Sequence, residues 1–116
     1  MLPMKRGEVW WVNFEPSIGG EVRKKRPAVI VSNDVANRYL NRVQVVPITS
    51  NVGRVYPSEA VLTVGRRQGK AMADQITTVS KRRLINRTGQ LKISEIREIE
   101  RAIRVQLGLS LGSDGA

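Results

Sequence analysis

Short runs of β-branched and aromatic residues, each closed by proline or glycine, fill most of this chain, and only one stretch near its end has helical spacing. That punctuation leaves room for short strands joined by turns and little else. Glu8–Phe14 reads as a first strand. Its neighbours Trp10 and Trp11 must point to opposite faces, one into a core and one toward a surface that packs a partner or stacks a base. Glu15-Pro-Ser-Ile-Gly-Gly20 breaks the strand, and the loop continues through Glu21-Val-Arg-Lys-Lys-Arg26. Pro27–Ser32 is apolar on both faces and so belongs at the centre of a sheet, with Pro27 at its first position, where a missing N–H is tolerated.

Asn33 or Asp34 is placed to cap a short helix running to Asn41. Arg42–Ser50 is a third strand, in which Pro47 requires a bulge or an edge. A turn-rich connection follows, then strands at Ala60–Val64 and Lys70–Val79, joined by Gly65-Arg-Arg-Gln-Gly69 as a hairpin. Arg87–Leu91 is a last short strand. Ser94 opens the single long helix as its N-cap, with Glu95 and Glu98 at the positive end of the dipole. Ile96, Ile99 and Ile103 form its apolar stripe, Ala102 and Leu107 widen it, and Gly108 stops it. From about residue 110 to Ala116 the chain reads as a frayed tail. Five or six short strands and one helix make an α+β domain built on a small antiparallel barrel, one domain over residues 1–116.

Composition narrows the chemistry. There is no cysteine and no histidine, which removes disulfides, thiolate catalysis and the usual zinc ligands. The nearest group of acids, Glu95, Glu98 and Glu100, reads as a solvated helix face, so no metal is expected. No run of about 18 apolar residues is present to span a membrane, and no apolar stretch follows Lys5 and Arg6 to make a secretory signal. The formal net charge is +10, and fourteen of the twenty basic residues are arginine. Arginine grips phosphate in a planar fork and stacks on bases, which points to nucleic acid as the partner.

Three segments in order carry a resemblance: Arg6-Gly-Glu-Val-Trp10 leading through Pro16, Gly19 and Glu21 to Lys25-Arg-Pro-Ala-Val-Ile-Val-Ser32; Val46-Pro-Ile-Thr-Ser50; and Ala73-Asp-Gln-Ile76. Together, over about Lys5 to Leu109, they resemble the MazF/PemK/Kid toxin family. The resemblance implies an SH3-like barrel of the CcdB/PemK kind with a C-terminal helix, a homodimer, and a bacterial cytoplasmic endoribonuclease. That enzyme cuts single-stranded RNA, mainly messenger RNA, at a sequence motif, arrests translation and growth, and is held by an acidic MazE-like antitoxin. It also implies a catalytic arginine at Arg26, a catalytic threonine at Thr49, and an acid beside the site at Glu21. Asp74 and Gln75 match a pair that supports RNA contacts. The run Arg23-Lys24-Lys25 is more basic than the family pattern demands and adds to the RNA-binding set, as do Asn33 and Arg82.

The chemistry is consistent with those residues. RNA carries its own nucleophile: the 2′-hydroxyl attacks the adjacent phosphate and expels the 5′-oxygen, so no metal or other cofactor is required. The reaction needs a proton acceptor, a proton donor and positive charge on the phosphorane. Arginine ordinarily stays protonated and suits the last role; Thr49 donates a hydrogen bond to a phosphate oxygen; Glu21 is left as the base. Two rival readings are a barrel that binds RNA without cutting it and a gyrase poison of the CcdB type. The first has no need of Arg26 with Thr49. The second relies on a C-terminal tryptophan, where this sequence reads Leu111-Gly-Ser-Asp-Gly-Ala116.

Overall fold

The computed structural model describes residues 4–16, 18–19 and 24–110. Glu21, Arg23 and the tail from Leu111 onward lie outside the described residues. Seven strands make one strongly curled antiparallel sheet: β1 (Glu8–Asn13), β2 (Lys25–Ile30), β3 (Arg42–Thr49), β4 (Glu59–Val64), β5 (Arg67–Met72), β6 (Thr77–Ser80) and β7 (Leu84–Gln90). Their order is β4-β5-β3-β2-β1-β7, with β6 paired to β3. Helix α1 (Asp34–Tyr39) links β2 to β3, and α2 (Ile93–Leu107) ends the fold.

Alternation along the strands divides the core between the two faces of the sheet. Val9, Val29, Val46 and Ile48 face one cluster, closed by Leu62, Ala71, Leu91 and the α2 residues Ile99 and Ala102. Val12, Ala28, Ile30, Val43 and Val45 face the other, closed by Val79 and Leu84 and flanked by Trp10 and Phe14. A sheet buried on both faces explains why β2 is apolar from Pro27 to Ile30. The two tryptophans part as alternation requires: Trp10 packs against the second cluster, while Trp11 stays 36% exposed.

Several expectations change in the folded chain. β2 begins at Lys25, so Pro27 is its third residue, not its first. It is accommodated because the β2–β3 ladder starts only at Ala28, while Pro27 faces Trp11 of β1 on the other side. Pro47 needs no bulge. β3 pairs with β6 through Val45 and with β5 from Ile48, so Pro47 occupies the gap between two partners, where a missing N–H costs no ladder bond. The strand expected over Lys70–Val79 is two strands, β5 and β6, separated by a 3-10 turn at Ala73–Gln75. That turn is what carries the chain from one half of the sheet to the other.

The β4–β5 hairpin turns on Gly65 and Arg66 alone, and Gly69 lies within β5 opposite Leu62. β7 starts at Leu84, three residues before the expected strand, because it pairs with β1 as far as Val12; its residues are mostly exposed, so no apolar run marks them. α1 stops before Leu40, short of Asn41, with Asn33 as its cap. α2 is capped at Lys92, not Ser94: the Glu95 carboxylate accepts the Lys92 N–H at 3.0 Å. Leu107 is 53% exposed and takes no part in the buried stripe. The three helix acids are each engaged, Glu95 with Thr63 N–H as well, Glu98 with Arg101 and Glu100 with Arg6. Among the described residues no group of acids is arranged to hold a metal ion, and no helix is long and apolar enough to cross a membrane.

Candidate active site

The strand ends that follow from this topology define an open cleft of about 470 Å³. β2 supplies Lys25, Arg26 and Pro27, with Lys24 just before it; β3 supplies Ile48 and Thr49, followed by Ser50; β5 supplies Arg67, Gln68 and Gly69; Trp11 and Thr88 come from β1 and β7. Arg26 and Thr49 are brought together by register. The last β2–β3 pair is Ala28 with Pro47, and Arg26 and Thr49 lie just beyond it on these neighbouring strands, both lining the cleft.

The guanidinium of Arg26 is poised for a ligand. Its Nε is buried and has no hydrogen-bond partner among the described residues. Leaving such a donor unsatisfied costs about 1–3 kcal/mol, more for a charged group, and an acceptor brought into the cleft recovers it. Thr49 Oγ1 accepts the N–H of Asn51 at 3.3 Å, which leaves the hydroxyl proton to donate. Lys24 and Lys25 are exposed at the mouth. Lys24 holds a left-handed backbone (φ 63°), unusual for a side chain with a Cβ, and its N–H donates to the Glu15 carboxylate.

Asp74 and Gln75 lie in a second cleft of about 350 Å³, with Phe14, Pro16, Pro47, Thr77, Thr78 and Arg83. Pro47 walls this one and Ile48 and Thr49 the first, so consecutive residues of β3 serve both clefts. Arg83 donates through Nη1 to the carbonyls of Asn13 and Glu15 and so ties the 3-10 turn before β7 to the strand end beside the second cleft. Asn33 and Arg82 are not brought to Arg26 and Thr49. The Asn33 side chain accepts Ala36 N–H at 2.8 Å as the α1 cap and lines a separate hollow with Arg6 and Arg104. Arg82 is exposed on the 3-10 turn Lys81–Arg83. Arg67 and Gln68 were missed; only the hairpin register, which folds β5 over Thr49, brings them in.

The model of the PemK-like, MazF-like toxins of type II toxin–antitoxin systems matches residues 5–107. The chain belongs to this family. It is 38% identical over 115 residues to Endoribonuclease MazF9 of Mycobacterium tuberculosis, which covers 91% of this chain and 98% of that one. It is 34% identical over 103 residues to Endoribonuclease toxin MazF of Escherichia coli K12, covering 88% and 92%. Among solved structures, MazF from Deinococcus radiodurans superposes with a TM-score of 0.84 at 26% identity, over 94% of this chain and 100% of that one. An endoribonuclease in complex with its cognate antitoxin, from a mycobacterial species, gives 0.78 at 26% identity, over 93% and 98%. The curled sheet with its terminal helix is therefore the fold of the family, and in this chain Arg26 and Thr49 line one cleft.

Proposed function

We propose that this toxin cuts single-stranded RNA without a metal, through a phosphate held between Arg26 and Thr49. It is an endoribonuclease toxin, a hydrolase of RNA phosphodiester bonds, as its relatives are named. The observation that carries the mechanism is that Arg26 and Thr49 line one cleft, with an Arg26 Nε that is buried and has no hydrogen-bond partner among the described residues. The guanidinium meets the negative charge that grows on the phosphorane. Thr49 gives a second hydrogen bond to a phosphate oxygen. Glu21, outside the described residues, takes the proton of the attacking 2′-hydroxyl; the departing 5′-oxygen takes a proton from solvent, leaving a 2′,3′-cyclic phosphate and a 5′-hydroxyl end. Lys24, Lys25 and Arg23 hold the flanking phosphates, and the cleft of Asp74 and Gln75 takes a neighbouring nucleotide. Asn33 and Arg82 extend the contact surface from a distance.

The same basic surface suits an acidic antitoxin, in the way that a structural neighbour is bound to its cognate antitoxin. Opposite charge steers such a partner quickly onto the toxin, and we place the chain, as one domain and as a homodimer, in the bacterial cytoplasm where both RNA and antitoxin are found. The test is to incubate the protein with a long single-stranded RNA in EDTA, beside Arg26→Ala, and map the ends. Discrete cuts with 5′-hydroxyl ends, absent from the variant, are expected. Binding without cleavage, in EDTA or in magnesium, would leave only an RNA-binding barrel.

A further inference from the structure

The described part of the protein contains one ion pair whose two side chains are both nearly enclosed: Lys70 Nζ to Glu59 Oε1 at 2.9 Å, each side chain 9% exposed. Lys70 does not line the Arg26 cleft, and a buried ammonium already bonded to a carboxylate cannot serve as an RNA contact. Nor is a buried pair explained by stability, since the cost of desolvating two charges generally matches or exceeds their attraction. What it does supply is specificity of arrangement, where every other bond it makes is to the same segment.

Those other bonds all reach the chain that leaves Thr49. Lys70 Nζ also donates to the carbonyl of Arg54. Glu59 Oε1 accepts the N–H of Tyr56 at 2.8 Å. Lys70 itself is the cross-strand partner of Thr49 on one side and of Val61 on the other. The β3–β5 ladder that holds Thr49 is confined to Ile48 and Thr49, so few backbone bonds hold the strands together there, and Thr49 stands at its open end. Residues 51–58 form no strand or helix that could stiffen it.

We propose that the Lys70–Glu59 pair is a positioning device for Thr49: it fixes the register of the short β3–β5 ladder and the path of the segment that follows, and so sets where the hydroxyl stands relative to Arg26. The inference rests on the reading of Thr49 as part of the active site. A displacement of about 1 Å in such a site reduces turnover by up to about 100-fold.

The test is the double variant K70M/E59Q, which removes both charges, keeps a carbonyl oxygen for the Tyr56 N–H and conserves volume. Steady-state cleavage of a short fluorogenic RNA is followed well below the melting temperature, with Thr49→Ala alongside. The expected result is kcat down about 10- to 100-fold, with KM within about twofold because no RNA contact is lost and with a melting temperature near that of the parent. A folded variant with parental kcat overturns the proposal, as does a loss of kcat that disappears on cooling and so merely tracks unfolding. Should the double variant not fold, E59D, which keeps both charges but shortens the reach of the carboxylate, is read in the same two ways. If Thr49→Ala cleaves at the parental rate, the active-site reading fails; if Thr49→Ala is inactive while the pair variants are not, only the positioning role fails.

Discussion

Gly69→Ala measures how closely β5 is laid against the residue that carries the chemistry. A Cβ at position 69 would stand 2.9 Å from Ile48 Cγ2 and 3.0 Å from the Thr49 carbonyl oxygen. Tight contacts become ordinary at 3.4 Å, so β3 and β5 must part by about 0.4 Å in a core that is already close-packed. Ile48 is 5% exposed and sits within the larger cluster, which gives its side chain nowhere to go. Overpacking of this kind costs about 1–3 kcal/mol, against which the smaller entropy of unfolded alanine returns under about 1 kcal/mol. For a domain of this length the melting temperature falls by roughly 4–10 °C. Because the strain falls on Thr49 itself, kcat drops by about three- to tenfold, less than a full 1 Å displacement would produce.

Gly65→Ala, four residues away on the same hairpin, is the control. Its φ of +62° penalises a Cβ by about 1–2 kcal/mol, but nothing lies within 4 Å of that Cβ. It should lose comparable stability and keep its turnover. Thermal unfolding and single-turnover cleavage of a labelled RNA read both variants. A Gly69→Ala protein with parental melting temperature and rate would refute the close approach. Equal losses of activity in the two variants would show that stability, not the position of Thr49, governs the rate.

Glu21→Gln should slow cleavage and remove the limb of the pH–rate profile on which activity rises as the carboxylate loses its proton; an unchanged profile assigns the base elsewhere. Lys24→Ala and Lys25→Ala should weaken binding of single-stranded RNA without changing its sequence preference. Each should lower the slope of log affinity against log salt by about 0.7, as measured by fluorescence anisotropy; an unaltered slope would remove that lysine from the RNA surface.

What the sequence made legible is what depends on neighbours in the chain. β1, β2 and β3 follow from apolar runs bounded by proline and glycine, and α2 from the spacing of Ile96, Ile99 and Ile103. Features that depend on pairing were not legible. The break of one expected strand at Ala73–Gln75 follows from β3 exchanging β6 for β5, which no local pattern announces. β7 is long because β1 needs a partner along its whole length, although Ile85, Asn86 and Arg87 are exposed. Arg26 and Thr49 came from resemblance rather than from periodicity, and their meeting in one cleft appears only when the β2–β3 pairing is known. The Glu59–Lys70 pair was invisible for the same reason: eleven residues apart, its partners meet only across a hairpin.

The partner exchange of β3 has a consequence for synthesis. The walls of the Arg26 cleft run from Trp11 to Thr88, and Thr49 is seated by β5, while Arg26 is held on a strand flanked by β1 and β3. No short fragment holds the whole arrangement. A chain emerging from the ribosome therefore carries no complete cleft until β7 has been made and has closed against β1. An enzyme that cuts the kind of molecule from which it is being read gains its competence only after the strand that closes its cleft has been translated.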